Sequence, residues 1–318
     1  MPTNEHPRLR LHSATSLFFY RGSIMSFRTH LTVVAAALVA FSAQAADGIP
    51  TQAYDAGLAA QLPATVQKAG VLRNVVTGNF APYTIANPDN SIEGATADFA
   101  RAVGETLGVK VTHTVAQGFA AMLMGISAGR YDVSIEPCGD FPDREAKNDF
   151  ADYVQEYVVF AVAKGNPKHI TDIKDTCGLR VSVMAGGSAE RTMKSQSAAC
   201  VKEGKPAVKV MSFEGQAAPL LAVRSGRADA FFSSQAPLSH FVSKDPGHLE
   251  LAAVGHNNGF GDLIQGAVVA KGSALGPVLV KVFEKLHANG TYDLIMKKWG
   301  LENNKLSQPG LNLATAKK

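Results

Sequence analysis

Two oppositely charged side chains stand where an α/β chain presents functional groups. Glu136 opens the run Glu136-Pro137-Cys138-Gly139 after a strand that ends at Ile135, and Arg144 comes early in a helix opened by Pro142. A guanidinium is a flat fork of donors that meets a carboxylate through two parallel hydrogen bonds, so Arg144 suits an anionic ligand. The free N–H groups of a helix start add positive potential beside it. Arg144 can equally pair with its neighbours Asp140 or Glu145. Glu136 can hold an ammonium group if its strand end faces a cleft, or it can pair with Arg144 or lie elsewhere. Gly186-Gly187-Ser188 reads as a strand-to-helix turn, where glycine permits close backbone approach and positive φ.

Other chemistries find little support. The nine histidines are scattered, and none has Cys or His partners at ligand spacing, so no metal and no cofactor are expected. There is no nucleophile–base pair and no phosphate loop. Four of the 31 basic residues and one of the 27 acidic residues precede Ala46, so the rest is nearly neutral, without a basic stripe for nucleic acid. Three cysteines remain. In an oxidising compartment Cys177 and Cys200 can pair; two buried free thiols are the other reading. Cys138 is left over, buried at a strand end.

The elements that must position these groups alternate between strand and helix. Val71 to Val76 reads as a strand. Thr96 to Leu107 reads as a helix with Phe99, Val103 and Leu107 on one face and Gly108 ending it. Leu179 to Met184 is a strand entering the glycine turn. Val278 to His287 is an amphipathic helix, and Thr291 is placed to cap the next one, which carries Ile295 and Trp299. Residues 117–133 and 214–230 resemble each other at a constant offset of 97, each reading as a helix stopped by glycine (Gly129, Gly226) before a strand. Val109-Lys110-Val111 and Val208-Lys209-Val210 read as matching strands upstream. Such alternation predicts mostly parallel sheets flanked by helices, with ligands at the carboxyl ends of the strands. Two lobes of this kind place the loops after Val76, Ile135, Met184 and Phe232 around one cleft.

The N-terminus reads as an export signal. Ser26-Phe27-Arg28-Thr29-His30 is followed by the apolar run Leu31 to Phe41 and by Ala43-Gln44-Ala45, an A-x-A cleavage pattern, so residues 25–45 form a signal peptide starting at Met25. Residues 1–24 then lie upstream of the true start. The apolar run is too short to span a bilayer, which takes about 20 residues.

In order along the chain, a further set of short motifs resembles the family-3 periplasmic solute-binding proteins of ABC transporters, the polar amino-acid binders. They are Phe80-Ala81-Pro82-Tyr83, Ala97-Asp98-Phe99, Gly129-Arg130-Tyr131-Asp132-Val133, Asp143-Arg144-Glu145, Phe150-Ala151-Asp152-Tyr153, Gly226-Arg227-Ala228-Asp229-Ala230, Asn289-Gly290-Thr291-Tyr292 and Lys298-Trp299-Gly300. The resemblance implies a type II periplasmic-binding-protein fold: two α/β lobes joined by two hinge crossovers, closing on a ligand. Lobe one would hold 68–162 and 262–300, lobe two 166–258, with an N-terminal extension at 46–67 and a polar tail at 301–318 lying on the surface.

It also implies a site. Arg144 would take a ligand carboxylate with the backbone of Gly187 and the Ser188 hydroxyl nearby. Phe80, Tyr83 and Phe119 would lay aromatic faces on the ligand. Pro137 and Gly139 would offer backbone groups. Two departures stand out. Ser234 occupies the place of an Asp that neutralises the ligand's α-amino group, and Thr77 occupies the other frequent acidic position. A buried ammonium without an anion is costly, so either Glu136 has taken the role or the ligand is not a standard α-amino acid. The Cys177–Cys200 arrangement resembles a bridged branch of the family. The function implied is capture of an amino acid or related small carboxylate in the periplasm by a monomer that serves an inner-membrane permease, and not catalysis. Two alternatives are a cyclohexadienyl or arogenate dehydratase on the same fold with Glu136 as general acid, and a protein that delivers its ligand to a sensor.

Overall fold

A computed structural model describes residues 48–316; the signal peptide and the upstream segment lie outside the described residues. Two short helices, α1 (Ala56–Ala59) and α2 (Ala64–Ala69), lead into β1 (Val71–Val76). A small hairpin sheet follows, made of β2 (Asn79–Phe80), β3 (Thr84–Ala86) and β4 (Ile92–Glu93). Then come α3 (Ala95–Leu107), β5 (Lys110–Val115), α4 (Phe119–Ser127), β6 (Ser134–Gly139), α5 (Pro142–Glu145) and β7 (Asn148–Glu156). The second lobe holds β8 (Val158–Ala163), β9 (Arg180–Met184), α6 (Ser188–Lys202), β10 (Lys209–Phe213), α7 (Ala217–Arg224), β11 (Ala230–Ser234), α8 (Gln235–Lys244) and β12 (Leu249–Ala252). The chain returns to the first lobe through β13 (Leu263–Ala270), α9 (Leu275–Ala288), α10 (Thr291–Lys298), β14 (Lys305–Leu311) and α11 (Leu313–Ala316).

The α/β architecture is as expected, but each sheet is parallel only in part. In lobe two, β10, β9, β11 and β12 share one direction, and β8, which lies between β11 and β12, runs against them. In lobe one, β1 and β5 are parallel, and a single bridge from Asn74 to Val133 joins them to β6. Beyond β6, strands β13, β7 and β14 are all antiparallel. Parallel strands need a crossover connection, which the helices between them supply. The opposed strands β8 and β13 are the ones that follow a passage between lobes.

Those passages correct two boundaries. The chain leaves lobe one at Tyr157 and not at 162, because β8 pairs with β11 and β12. The expected polar surface tail instead supplies β14 to the edge of the first sheet, pairing with β7. Smaller differences follow from local chemistry. Gly290, in the left-handed region at φ 78°, holds the N-cap position expected for Thr291, and the Asn289 side chain accepts from the Thr291 amide. Trp299 sits just past the end of α10 and donates to Asp98.

The cores are apolar and closed. In lobe one Phe99 of α3 meets Tyr153, Phe283 and Tyr292, with ring centroids 5.1, 6.0 and 5.7 Å away. All four are fully buried, so truncating Phe99 to Ala costs about 3–5 kcal/mol. The repeated segments acquire a physical meaning here. Asp132 accepts from the backbone and guanidinium of Arg73 at the start of β1, and Asp229 does the same for Arg180 at the start of β9. Each lobe thus pins the strand behind its helix with an Asp–Arg clasp. The Cys177–Cys200 disulfide is formed, tying α6 to the approach to β9, and Cys138 is a buried free thiol. No helix among the described residues is long and apolar enough to cross a membrane.

Candidate functional site

A small cavity lies between the lobes, lined by residues of both, the kind of concave place where small-molecule sites form. Thr77, Phe80, Phe119, Glu136, Pro137, Gly139, Arg144, Gly187, Ser188 and Ser234 all line it. Tyr83 does not. It is fully buried behind Phe80, whose ring stacks on it at 5.4 Å, and its place is in the core of lobe one. Cys138, Val158, Met184, Ala189, Gln216, Ser233 and Gln265 complete the wall. Gln216 lies in the repeated segment and Ser233 adjoins Ser234, so those two had a signal; Gln265 lies inside the apolar run of β13 and had none.

Arg144 projects from the short helix α5. Its Nη1 donates to the Gly139 carbonyl at 2.9 Å and approaches the Cys138 sulfur at 3.7 Å. Its Nη2 reaches the Gly186 carbonyl of the opposite lobe at 3.4 Å. The guanidinium lies 4.9 Å from the Phe119 ring centroid and 5.1 Å from that of Phe141. Neither expected acid partner is used. Asp140 accepts from the Ala314 amide and Glu145 from the Thr315 hydroxyl, both turned toward the C-terminal segment. Among the described residues Arg144 has no carboxylate partner. A charge held by carbonyl oxygens and aromatic faces is positioned but not neutralised.

Facing it, α6 begins at Ser188, with Gly187 at its N-cap. Gly186 adopts φ 72°, the left-handed turn that glycine allows, while Gly187 is ordinary extended backbone. The first amides of a helix have no intrahelical acceptor, and Ser188 and Ala189, which begin α6, both line the cavity. Glu190 in the same turn is occupied by the Gly186 amide, Ser212 and Lys194, and these partners hold its carboxyl below the usual range against the effect of burial.

Glu136 is 3% exposed. One carboxylate oxygen accepts from the Thr77 hydroxyl at 2.5 Å and the other from the Thr77 amide at 3.0 Å. Burial pushes its carboxyl above the ordinary value, and the Thr77 and Thr84 hydroxyls pull it partly back. Glu136 does not pair with Arg144. Burial also raises the Cys138 thiol to about 11, so it is neutral and unreactive at physiological pH. At the other end Ser233 donates to Gln216, and the Gln216 amide nitrogen lies 3.7 Å from the Met184 sulfur. Gln265 is 4% exposed, and its Oε1 has no hydrogen-bond partner among the described residues.

The lobes meet on both rims. Arg191 of lobe two binds Asp143 of lobe one at 2.6 Å and lies over Phe141. On the other rim Gly215 packs so closely on Asn79 that a Cβ there would collide with it.

The profile of the bacterial extracellular solute-binding proteins, family 3, matches residues 72–302. The chain belongs to this family. It is similar to the arginine-binding protein ArgT of Corynebacterium glutamicum, 28% identical over 259 residues, covering 80% of this chain and 82% of that protein. Among solved structures, an ancestral arginine-binding protein bound to glutamine superposes with a TM-score of 0.65 at 27% identity, covering 73% of this chain and 99% of that one. The ancestral amino acid-binding protein AncCDT-1, a precursor of cyclohexadienyl dehydratase, superposes at 0.63 with 24% identity, covering 74% and 97%, which is a likeness of fold alone. As a member of this family the chain is an extracytoplasmic solute-binding protein of the amino-acid type and not an enzyme.

Proposed function

We propose that the protein captures an amino acid or related small carboxylate in the cleft and hands it to the permease of an ABC transporter in the inner membrane. It would work in the periplasm, as a monomer, after removal of residues up to Ala45. The observation that carries this reading is the unneutralised Arg144 guanidinium, fixed over Phe119 and beside the open start of α6. The ligand carboxylate would lie across the Arg144 fork and the Ser188 and Ala189 amides. Thr77 and Glu136 would take its cation, and Phe80 and Phe119 its aliphatic stem. Lobe one would span about 68–156 and 262–311, with lobe two between, the two moving about Tyr157 and the 253–262 segment.

A thermal-shift screen of the twenty L-amino acids, opines, polyamines and small carboxylates tests the reading. A ligand present at 100 times its Kd stabilises the folded state by about 2.7 kcal/mol. At least one amino acid or carboxylate is expected to raise Tm by several degrees. A shift with polyamines alone, or with none of the panel, would refute the proposal.

A further inference from the structure

The ionic groups lining the cleft are few enough to count. Glu136 and Arg144 are the two side chains of the cavity wall that carry a charge. They do not neutralise each other: the carboxylate is engaged by Thr77 and the guanidinium by the carbonyls of Gly139 and Gly186. Of the other ions near the rim, Asp143 is matched with Arg191 and Glu190 with Lys194, while the exposed Glu214 carboxylate lies against Gly118 outside the cavity wall. The rest of the wall is neutral, with Gln216, Ser233 and Ser234 offering hydrogen bonds and Gln265 holding an acceptor without a partner among the described residues.

We propose that the cleft selects a ligand with one carboxylate, one cation and an uncharged hydrogen-bonding remainder, and that Glu136 of lobe one receives the cation. This inference rests on the reading of the cleft as an amino-acid site. A ligand with one anion and one cation leaves Arg144 and Glu136 each paired and the closed cleft neutral. A second cation, as in arginine or lysine, would be desolvated against amide and hydroxyl groups with no anion to meet it. A second anion, as in glutamate, would lack a counter-ion in the same way. An uncharged donor such as a carboxamide N–H meets the open Gln265 Oε1, and its carbonyl can accept from Gln216. Glu136 also accounts for the serine and threonine at positions 234 and 77: with the anion on β6, neither of those positions needs one. Because burial raises the carboxyl of Glu136 and its protonated form cannot pair with a cation, affinity should weaken as pH falls.

Calorimetric titration of the full chain with L-glutamine, L-asparagine, L-serine, L-arginine, L-lysine, L-glutamate and 4-carbamoylbutanoate (glutamine without its amino group) tests this. At least one neutral zwitterion is expected to bind roughly 30-fold or more tighter than arginine, lysine and glutamate. Glu136→Gln should weaken that zwitterion by a similar factor while changing 4-carbamoylbutanoate less than about threefold, because the latter has no cation to lose. Glu136→Asp, which keeps the charge, should fall between. Arginine or lysine binding as tightly as any neutral amino acid would overturn the charge count while leaving the amino-acid reading intact. Equal weakening of both probes by Glu136→Gln would make Glu136 structural and overturn its assignment. If no probe bound and the wider screen also failed, the reading of the cleft would fall, and this inference with it. The wild-type titrations need no variant, so poor folding of a substituted chain cannot mask the result.

Discussion

Replacing Arg144 separates its charge from its shape. Two of its nitrogens rest on the Gly139 and Gly186 carbonyls, and its plane is sandwiched by Phe119 and Phe141. Arg144→Ala removes the fork, the charge and the stack. Truncating one member of a desolvated charge pair costs about 2–5 kcal/mol. Arg144 is only partly buried, so the lower half of that range applies, about 2–3 kcal/mol or roughly 30- to 150-fold in Kd. Arg144→Lys keeps the charge but gives up one of two parallel hydrogen bonds and most of the stacking, about 1 kcal/mol or roughly fivefold. Both variants should fold normally, because Arg144 makes no ion pair among the described residues. Isothermal titration with the amino acid that gives the largest thermal shift is the assay. An Arg144→Ala Kd within threefold of the parent would remove the guanidinium from the binding site. Equal losses in the Ala and Lys variants would show that the fork geometry, and not charge, decides affinity.

Three other substitutions probe the frame around the cleft. Gly215 sits at φ 68° against Asn79 of the other lobe; Gly215→Ala should cost about 1–2 kcal/mol in stability and hold the liganded protein at a larger radius of gyration by X-ray scattering. An unchanged liganded radius would mean this rim does not close. Removing the disulfide with Cys177→Ala and Cys200→Ala should lower urea stability by about 3 kcal/mol, from loop entropy over a separation of 23 residues, without changing ligand Kd. Non-reducing peptide mapping of the parent should show that one bridge. Burial raises the carboxyl of Glu156, at the crossover, to about 7, while the Tyr157 amide and Asn304 hold one of its oxygens. A carboxyl raised on folding favours the folded state fully below its unfolded value, and that advantage is lost as pH rises through the folded value. Stability should therefore fall by about 3 kcal/mol between pH 5 and 8 from this group. Glu156→Gln should flatten that fall in a series of thermal melts across pH; an undiminished slope would assign the effect to other groups.

The parts of the fold that the sequence made legible are those fixed by local rules. The turn at Gly108, the apolar face of α3 and the matched segments ending at Gly129 and Gly226 follow from helix period and capping within a few residues. Long-range pairing left no such mark. Phe150 to Ala163 reads as one largely apolar stretch broken by Asp152 and by Gln155-Glu156, and the chain changes lobes just after the second break. The segment Lys305–Leu311 is polar and carries Pro309, and it is a strand because β7 offers it an edge. In the site, most lining positions were legible through the family resemblance, whose motifs fall at the loop tips. Tyr83 was not, because an aromatic beside the cleft looks the same in sequence whether it faces the cavity or, as here, backs Phe80 from the core. Gln265 was hidden for the opposite reason, a polar side chain inside a strand that pattern alone assigns to packing.

The central claim is that an anionic group sits between Arg144 and the start of α6. A crystal structure of the protein with its tightest amino acid tests it most directly. The account predicts a ligand carboxylate about 2.7–2.9 Å from the Arg144 nitrogens and within hydrogen-bond reach of the Ser188 amide, with the lobes closed over it. A ligand whose carboxylate points away from Arg144, or one bound outside the cleft, would contradict it.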